Sequence, residues 1–229
     1  PEEGLFIQAV LSIFHNTSNV DSNVNHIRSL DINTVLESYL DSADDEYRLT
    51  ALATLANIVN EKECSILQKR QPIVKFLLDI FGTALKSKNH RSSGGRVGWS
   101  AQECASTVRH LARNDANKKL VVHMECLPHL VELAKSATVE EQREAVSAIW
   151  VLSFDVENQK KMLEDRQLNI LMLLNDRKEK SKDKQIIEAA EGALWNLEHK
   201  VKPKERWKKA VAAIAKKSRI NDAENGDSV

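Results

Sequence analysis

Several things are scarce in this chain of 229 residues, and each shortage excludes something. Aromatic residues make up 5%, and there are 7 glycines and 4 prolines. With 42% hydrophobic residues, so few chain breakers exclude a disordered polypeptide, and the abundance of Ala, Leu, Glu and Lys favours helices. Net charge is missing too: 33 Lys and Arg balance 33 Asp and Glu, so no global field draws in nucleic acid. No apolar run reaches the ~18–20 residues of a membrane span. The cysteines are three, an odd number, and far apart: Cys64, Cys104 and Cys126. They suit buried thiols in a reducing compartment, and a cytoplasmic location is expected. Pro1 to Gly4 lack the basic start of a signal peptide. A helical pattern begins at once after them, as expected of a segment cut from a longer protein.

What is present is one helical line written four times. Residues 51–58 read ALATLANI, 104–111 CASTVRHL, 145–152 AVSAIWVL and 190–197 AEGALWNL, with a weaker copy, FIQAVLSI, at 6–13. From Ser12 through Asn57, His110 and Val151 to Asn196 the steps are 45, 53, 41 and 45 residues. A period near 40 predicts stacked helical hairpins or triplets, none able to fold alone. The expected organisation is a partial unit at 5–16, full units at 20–60, 61–113, 114–155 and 156–200, an amphipathic capping helix at 203–218 and a polar tail at 219–229. The spacing predicts a short helix over 117–124, a second helix opening at Pro128, and capping boxes at Ser100/Glu103 and Thr138/Glu141. Two insertions, 86–98 and 177–184, are expected to be charged loops.

Numbering each long helix from the Asn196 column, positions −6, −3, −2 and +1 share one face at 100° per residue. They hold Ala190, Ala193, Leu194 and Leu197 in the last unit, Cys104, Thr107, Val108 and Leu111 in the second, and Ala145, Ala148, Ile149 and Leu152 in the third. This is the predicted core stripe. The opposite columns are expected to line up as one continuous concave wall.

These lines resemble armadillo repeats, whose third helix typically reads Ala-x-x-Ala-Leu-x-Asn-Leu. Gly192 to Leu197 match it, and Asn117 to Val121 followed by Leu127-Pro128-His129-Leu130-Val131-Glu132-Leu133 match the family's first and second helices. The resemblance covers about residues 5–200. It implies an all-α, right-handed superhelical solenoid that is not an enzyme and binds an extended peptide or partner domain along the third-helix groove. In the family an asparagine column holds peptide backbone. Here Asn57 and Asn196 keep it, while Ser12, His110 and Val151 replace it. The tryptophan that nuclear-import receptors place four residues earlier is replaced by Ala53, Ser106, Ser147 and Gly192, so a receptor for basic peptides is not implied. Residues 191–198, followed by a basic stretch and a polar linker, also resemble armadillo segments that precede Toll/interleukin-1-receptor (TIR) homology domains. That similarity implies an innate-immune signalling protein whose regulatory segment senses an anionic small molecule such as a nucleotide.

The candidate groove is therefore Asn57, Asn60, Arg109, His110, Arg113, Trp150, Phe154, Trp195, Asn196 and His199. Arg109, His110 and Arg113 are expected to form a locally basic surface. Trp150 and Trp195 share a column and suit either packing between units or contact with a peptide. Side chains of the Asn column are expected to point away from the core. No cofactor and no metal is expected: His123, Cys126 and His129 straddle a turn and lack a fourth ligand, and the Ser92–Gly98 run lacks the Lys-Ser/Thr of a phosphate loop. Expected partners are a protein or peptide, with self-association through the solenoid ends. The basic segment at 203–218 presents Trp207, Val211 and Ile214 at helical spacing. It is expected to cover apolar surface near Leu194 and Leu197 rather than to bind membrane or nucleic acid.

Overall fold

A computed structural model describes residues 2–59, 70–92 and 98–199. Twelve helices follow one another among the described residues, with no strand: α1 (Glu2–Ser18), α2 (Asp21–Ser29), α3 (Asn33–Tyr39), α4 (Asp45–Ile58), α5 (Gln71–Lys86), α6 (Ala101–Leu111), α7 (Asp115–His123), α8 (Cys126–Leu133), α9 (Val139–Leu152), α10 (Val156–Glu164), α11 (Ile170–Lys180) and α12 (Lys184–Glu198). The repeated line supplies α1, α4, α6, α9 and α12, which pack side by side in that order as an inner layer. Behind them, α3, α5, α8 and α11 each pack on the long helix that follows. This is the all-helical solenoid that the period implies. None of the described helices is long and apolar enough to cross a membrane.

The core stripe is buried at every position predicted, from Cys104 to Leu111, from Ala145 to Leu152 and from Ala190 to Leu197. Leu194 and Leu197, expected to need a cover, are 5% and 3% exposed. The first full copy goes further, because α4 is buried on nearly every face from Leu49 to Ile58. Its threonines tolerate this by satisfying themselves: Thr50 Oγ1 donates to the Glu46 carbonyl at 2.7 Å and Thr54 Oγ1 to that of Thr50 at 2.6 Å. Such back-bonding makes a hydroxyl compatible with an apolar neighbourhood. Cys104 and Cys126 are buried and free, and burial raises both thiols far above their ordinary range.

Several local expectations are corrected. The Ser100/Glu103 capping box forms as drawn, with Trp99 and Cys104 both buried beside it. The Thr138/Glu141 box does not: Thr138 gives α9 no side-chain cap, because Glu141 is taken up elsewhere. Its carboxylate accepts from Ser136 Oγ and from His90 Nδ1, the latter at 3.0 Å. Burial works against its charge, yet the Ser136 and Thr138 hydroxyls and the His90 imidazole hold its pKa below the usual value. The second helix of the third unit starts at Cys126 rather than Pro128. Most of the expected loop at 177–184 is helical, since α11 runs to Lys180, where the Lys180–Asp176 pair closes its last turn, and Asp183 caps α12. The other insertion is pinned at its base, with Ser92 N donating to Trp99 O and Ala101 N to His90 O, both at 2.8 Å.

Three of the turns into second helices have a shared requirement. Asp31, Glu125 and Asn169, which lie just before α3, α8 and α11, all have positive φ, at 52°, 66° and 49°. Asp and Asn accept this region at small cost, whereas a glutamate does so poorly. Glu125→Gly is therefore expected to stabilise the protein by about 0.5–1 kcal/mol, read from a urea titration. Gly192 is constrained in the opposite way. A Cβ there would lie 2.4 Å from the Trp150 indole. Gly192→Ala is expected to cost about 1–3 kcal/mol by overpacking, with a correspondingly lower melting temperature.

Candidate functional site

The inner layer carries a polar cavity of 430 Å³. Half of its wall comes from α6, through Gln102, Glu103, Ser106, Thr107, Arg109 and His110, and Arg113, Asn57, Ser18, Asn19, His15 and Glu144 complete it. At its centre is Asn57, only 4% exposed. Its Nδ2 donates to Ser18 Oγ and to Asn19 Oδ1, each at 2.9 Å. Ser18 in turn donates to the His15 carbonyl at 2.8 Å. With its nitrogen so committed, the Asn57 carbonyl oxygen accepts from His110 Nδ1. One amide thus ties α1, α4 and α6 together, and it fixes the imidazole tautomer: Nδ1 carries the proton and Nε2 is left as an acceptor.

Burial first, and then the cations Arg109 and Arg113 and the neighbouring His15, push the His110 pKa down to about 3. His110 is neutral at physiological pH. His15 is also lowered by burial, against the pull of Glu103; its Nδ1 is buried without a hydrogen-bond partner, and its ring lies 5.4 Å from that of Trp99. Arg109 Nε is 2.9 Å from Glu144 Oε2 on the next long helix. The Glu103 carboxylate accepts from Ser100 N at 2.8 Å and from Ser100 Oγ at 2.7 Å in the capping box. The expected basic surface is therefore reduced: His110 carries no charge and Arg109 is ion-paired.

The cavity brings together Asn57, Arg109, His110 and Arg113. The other predicted residues lie further along the same wall. Trp150 is half-buried against Gly192 and 6.2 Å from the Phe154 ring, so it packs between units. Trp195 is 37% exposed and stacks on His199 at 5.1 Å and 22°. Asn60 lies outside the described residues, as do Cys64 and the segment 203–218.

The expectation that the Asn column points away from the core is overturned at its two asparagines, Asn57 and Asn196. Asn196, 1% exposed, donates to Ser153 Oγ at 2.9 Å, and Ser153 donates to the Trp150 carbonyl at 2.6 Å. The arrangement matches that of Asn57 and Ser18: an asparagine of one long helix anchors a serine at the end of the preceding one. Sequence reasoning missed His15, Glu103 and Glu144 as cavity residues. His15 stands three after Ser12, as Arg113 stands three after His110, so the column itself would have found it. Glu103 and Glu144 both stand seven before the column, a position with no family signal attached.

Asn57→Ala and Asn196→Ala each leave a buried serine acceptor unserved and are expected to cost about 1–3 kcal/mol of stability, read from denaturant titrations. A pH series tests the histidine. Between the unfolded histidine pKa near 6.5 and the folded value of about 3 for His110, the unfolded chain takes up a proton that the folded chain refuses. Stability therefore falls as pH falls through that window. Lowering pH from 6.5 to 5 should cost about 1.5–2 kcal/mol through His110. His110→Gln should lose that part of the pH dependence while a smaller part, from His15, persists.

Comparison with known proteins places the chain, though not the site, in a family. The family model described as the H subunit of the V-ATPase matches residues 5–186. No curated protein sequence matches the chain. Among solved structures, an engineered protein is similar at TM-score 0.60 and 20% identity, over 83% of this chain and 72% of that one. A designed armadillo repeat protein in complex with the peptide (KR)4 is similar at TM-score 0.59 and 18% identity, over 83% and 75%. Computationally designed armadillo repeat proteins for modular peptide recognition give TM-score 0.57 and 18% identity, over 83% and 75%. At these identities the likeness is one of fold.

Proposed function

This chain belongs to the V-ATPase H-subunit family, and from that premise we propose that it is a non-enzymatic interaction scaffold whose inner wall binds an extended segment of a partner protein. The family name points first to another component of a V-ATPase. The observation that carries the reading is the polar cavity centred on Asn57 and His110, set in a wall of stacked long helices. Its asparagine is spent on holding units together. The contacts offered to a partner are instead those of Gln102 and the His110 Nε2 acceptor, with the exposed Trp195–His199 stack further along. An aromatic ring partly open beside polar groups suits an anchor residue.

The test is an array of overlapping peptides from V-ATPase components, followed by titration of the best binder with the full chain. Gln102→Ala and Trp195→Ala are each expected to weaken it about tenfold, or about 1.4 kcal/mol, with the melting temperature little changed. If neither variant alters any binder, the wall is not the binding surface.

A second reading rests on the enclosure of the cavity. Its 430 Å³ falls within the range of small-molecule sites, where an anionic ligand would compete with Glu144 for Arg109. The chain would then be the regulatory segment of a TIR-type signalling protein. A thermal-shift series with nucleotides separates the two: a dose-dependent rise supports the sensor, and no shift supports the scaffold.

A further inference from the structure

The side chains that line the inner-wall cavity differ in the hydrogen-bonding capacity they have left. Most are spent inside the protein. Asn57 is committed at both ends of its amide, to Ser18 and Asn19 and to His110. Arg109 Nε is held by Glu144 at 2.9 Å, Thr107 Oγ1 donates to the Glu103 carbonyl at 2.9 Å, and the Glu103 carboxylate closes the Ser100 capping box. Three lining side chains keep capacity among the described residues. His110 gives its Nδ1 proton to Asn57, so its Nε2 lone pair is unserved. Gln102 is half-buried with its amide uncommitted, and Asn19 uses only its carbonyl oxygen, so both keep amide N–H donors. We propose that the cavity seats a carboxamide: the side chain of an asparagine or glutamine in the partner segment, with its N–H on His110 Nε2 and its oxygen on the amide of Gln102 or Asn19. This rests on the reading of the wall as the surface for an extended segment.

Charge and proton count select that group over its rivals. Burial and the nearby cations Arg109 and Arg113 oppose positive charge on the His110 ring, and what keeps a proton off the ring also disfavours an ammonium or guanidinium beside it. Glu103 and Glu144 would draw a cation, but each already serves a donor, Ser100 and Arg109. A carboxylate has no proton for Nε2, would lie beside Glu103 and Glu144, and could claim Arg109 only by displacing Glu144. An aliphatic side chain would cover Nε2 and leave a buried acceptor unserved, which is costly. A hydroxyl must donate and accept at one atom. A carboxamide donates and accepts at separate atoms, as the lining groups of the cavity require. Being uncharged, it also leaves water at less cost than any ion. A site built on such hydrogen bonds rejects close analogues that cannot complete them.

Pools of short fluorescent peptides, with randomised flanks and one fixed central residue, test this against the full chain by anisotropy. The central residue is Asn, Gln, Asp, Glu, Lys, Leu or Ser. The Asn or Gln pool is expected to bind at least about tenfold more tightly than the Asp, Glu, Lys and Leu pools. Gln102→Leu should remove most of that advantage, with circular dichroism checking that the variant stays folded. A second readout needs no variant of the binding residues: in histidine-labelled protein, the ring-nitrogen resonance of His110 Nε2 should shift with the favoured carboxamide pool and stay in place with the Leu pool. Its assignment comes from the signal lost in His110→Gln. Pools that bind but favour Lys, an acidic residue or Leu overturn the carboxamide and leave the wall as a binding surface. An Nε2 resonance that no bound pool moves does the same. Binding by no pool overturns both readings together. Free L-glutamine that moves the Nε2 resonance as fully as the peptides would make the ligand a small molecule and overturn its assignment to a partner side chain.

Discussion

An asparagine amide reaching back to a serine at the end of the preceding long helix holds this solenoid in register. Asn57 does this for Ser18 and Asn196 for Ser153. The apolar stripe alone supplies cohesion but little register, since dispersion and hydrophobic contact have no direction. A buried amide does have direction, and leaving its partner unserved is costly. Each such serine also satisfies a carbonyl three residues back, so a frayed helix end and a neighbouring repeat are secured by one hydroxyl. Ion pairs extend the same logic outward: Arg109 meets Glu144, and Arg143 meets Asp183 at 2.6 Å, each crossing from one unit to the next. Being part-exposed, these pairs contribute less than the buried amides.

The architecture was legible because a repeat states itself several times. Four copies of one line made the −6, −3, −2 and +1 positions an over-determined prediction, and the stripe is buried at every one of them. The capping box at Ser100 was legible for a related reason, as both of its members lie within one turn. The failure at Thr138 has the opposite cause. Glu141 had a competing partner in His90, 51 residues away, and no local pattern reveals a rival contact from another unit.

The candidate site was legible in part. The column found Asn57, Arg109, His110 and Arg113, which do converge on one cavity. It misjudged what the asparagine does there. At 100° per residue the column lies at the border between the core face and the wall, and a periodicity cannot say which side a border residue joins. The tie to Ser18 decides it, and that serine belongs to another helix. The charge of the site was misjudged similarly: three basic residues in sequence read as a cationic surface, yet Glu144 and the burial of His110 arrive from the fold.

Where Trp150 lies against Gly192, no methyl group stands between an indole and a helix backbone. That missing methyl determines how near α9 and α12 approach. In a stack of this kind the separation at each junction fixes the angle to the next repeat, and small angles add along the array. The pitch of the inner wall, and with it the length of the partner segment it can follow without a break, is thus written partly in the one residue that has no side chain.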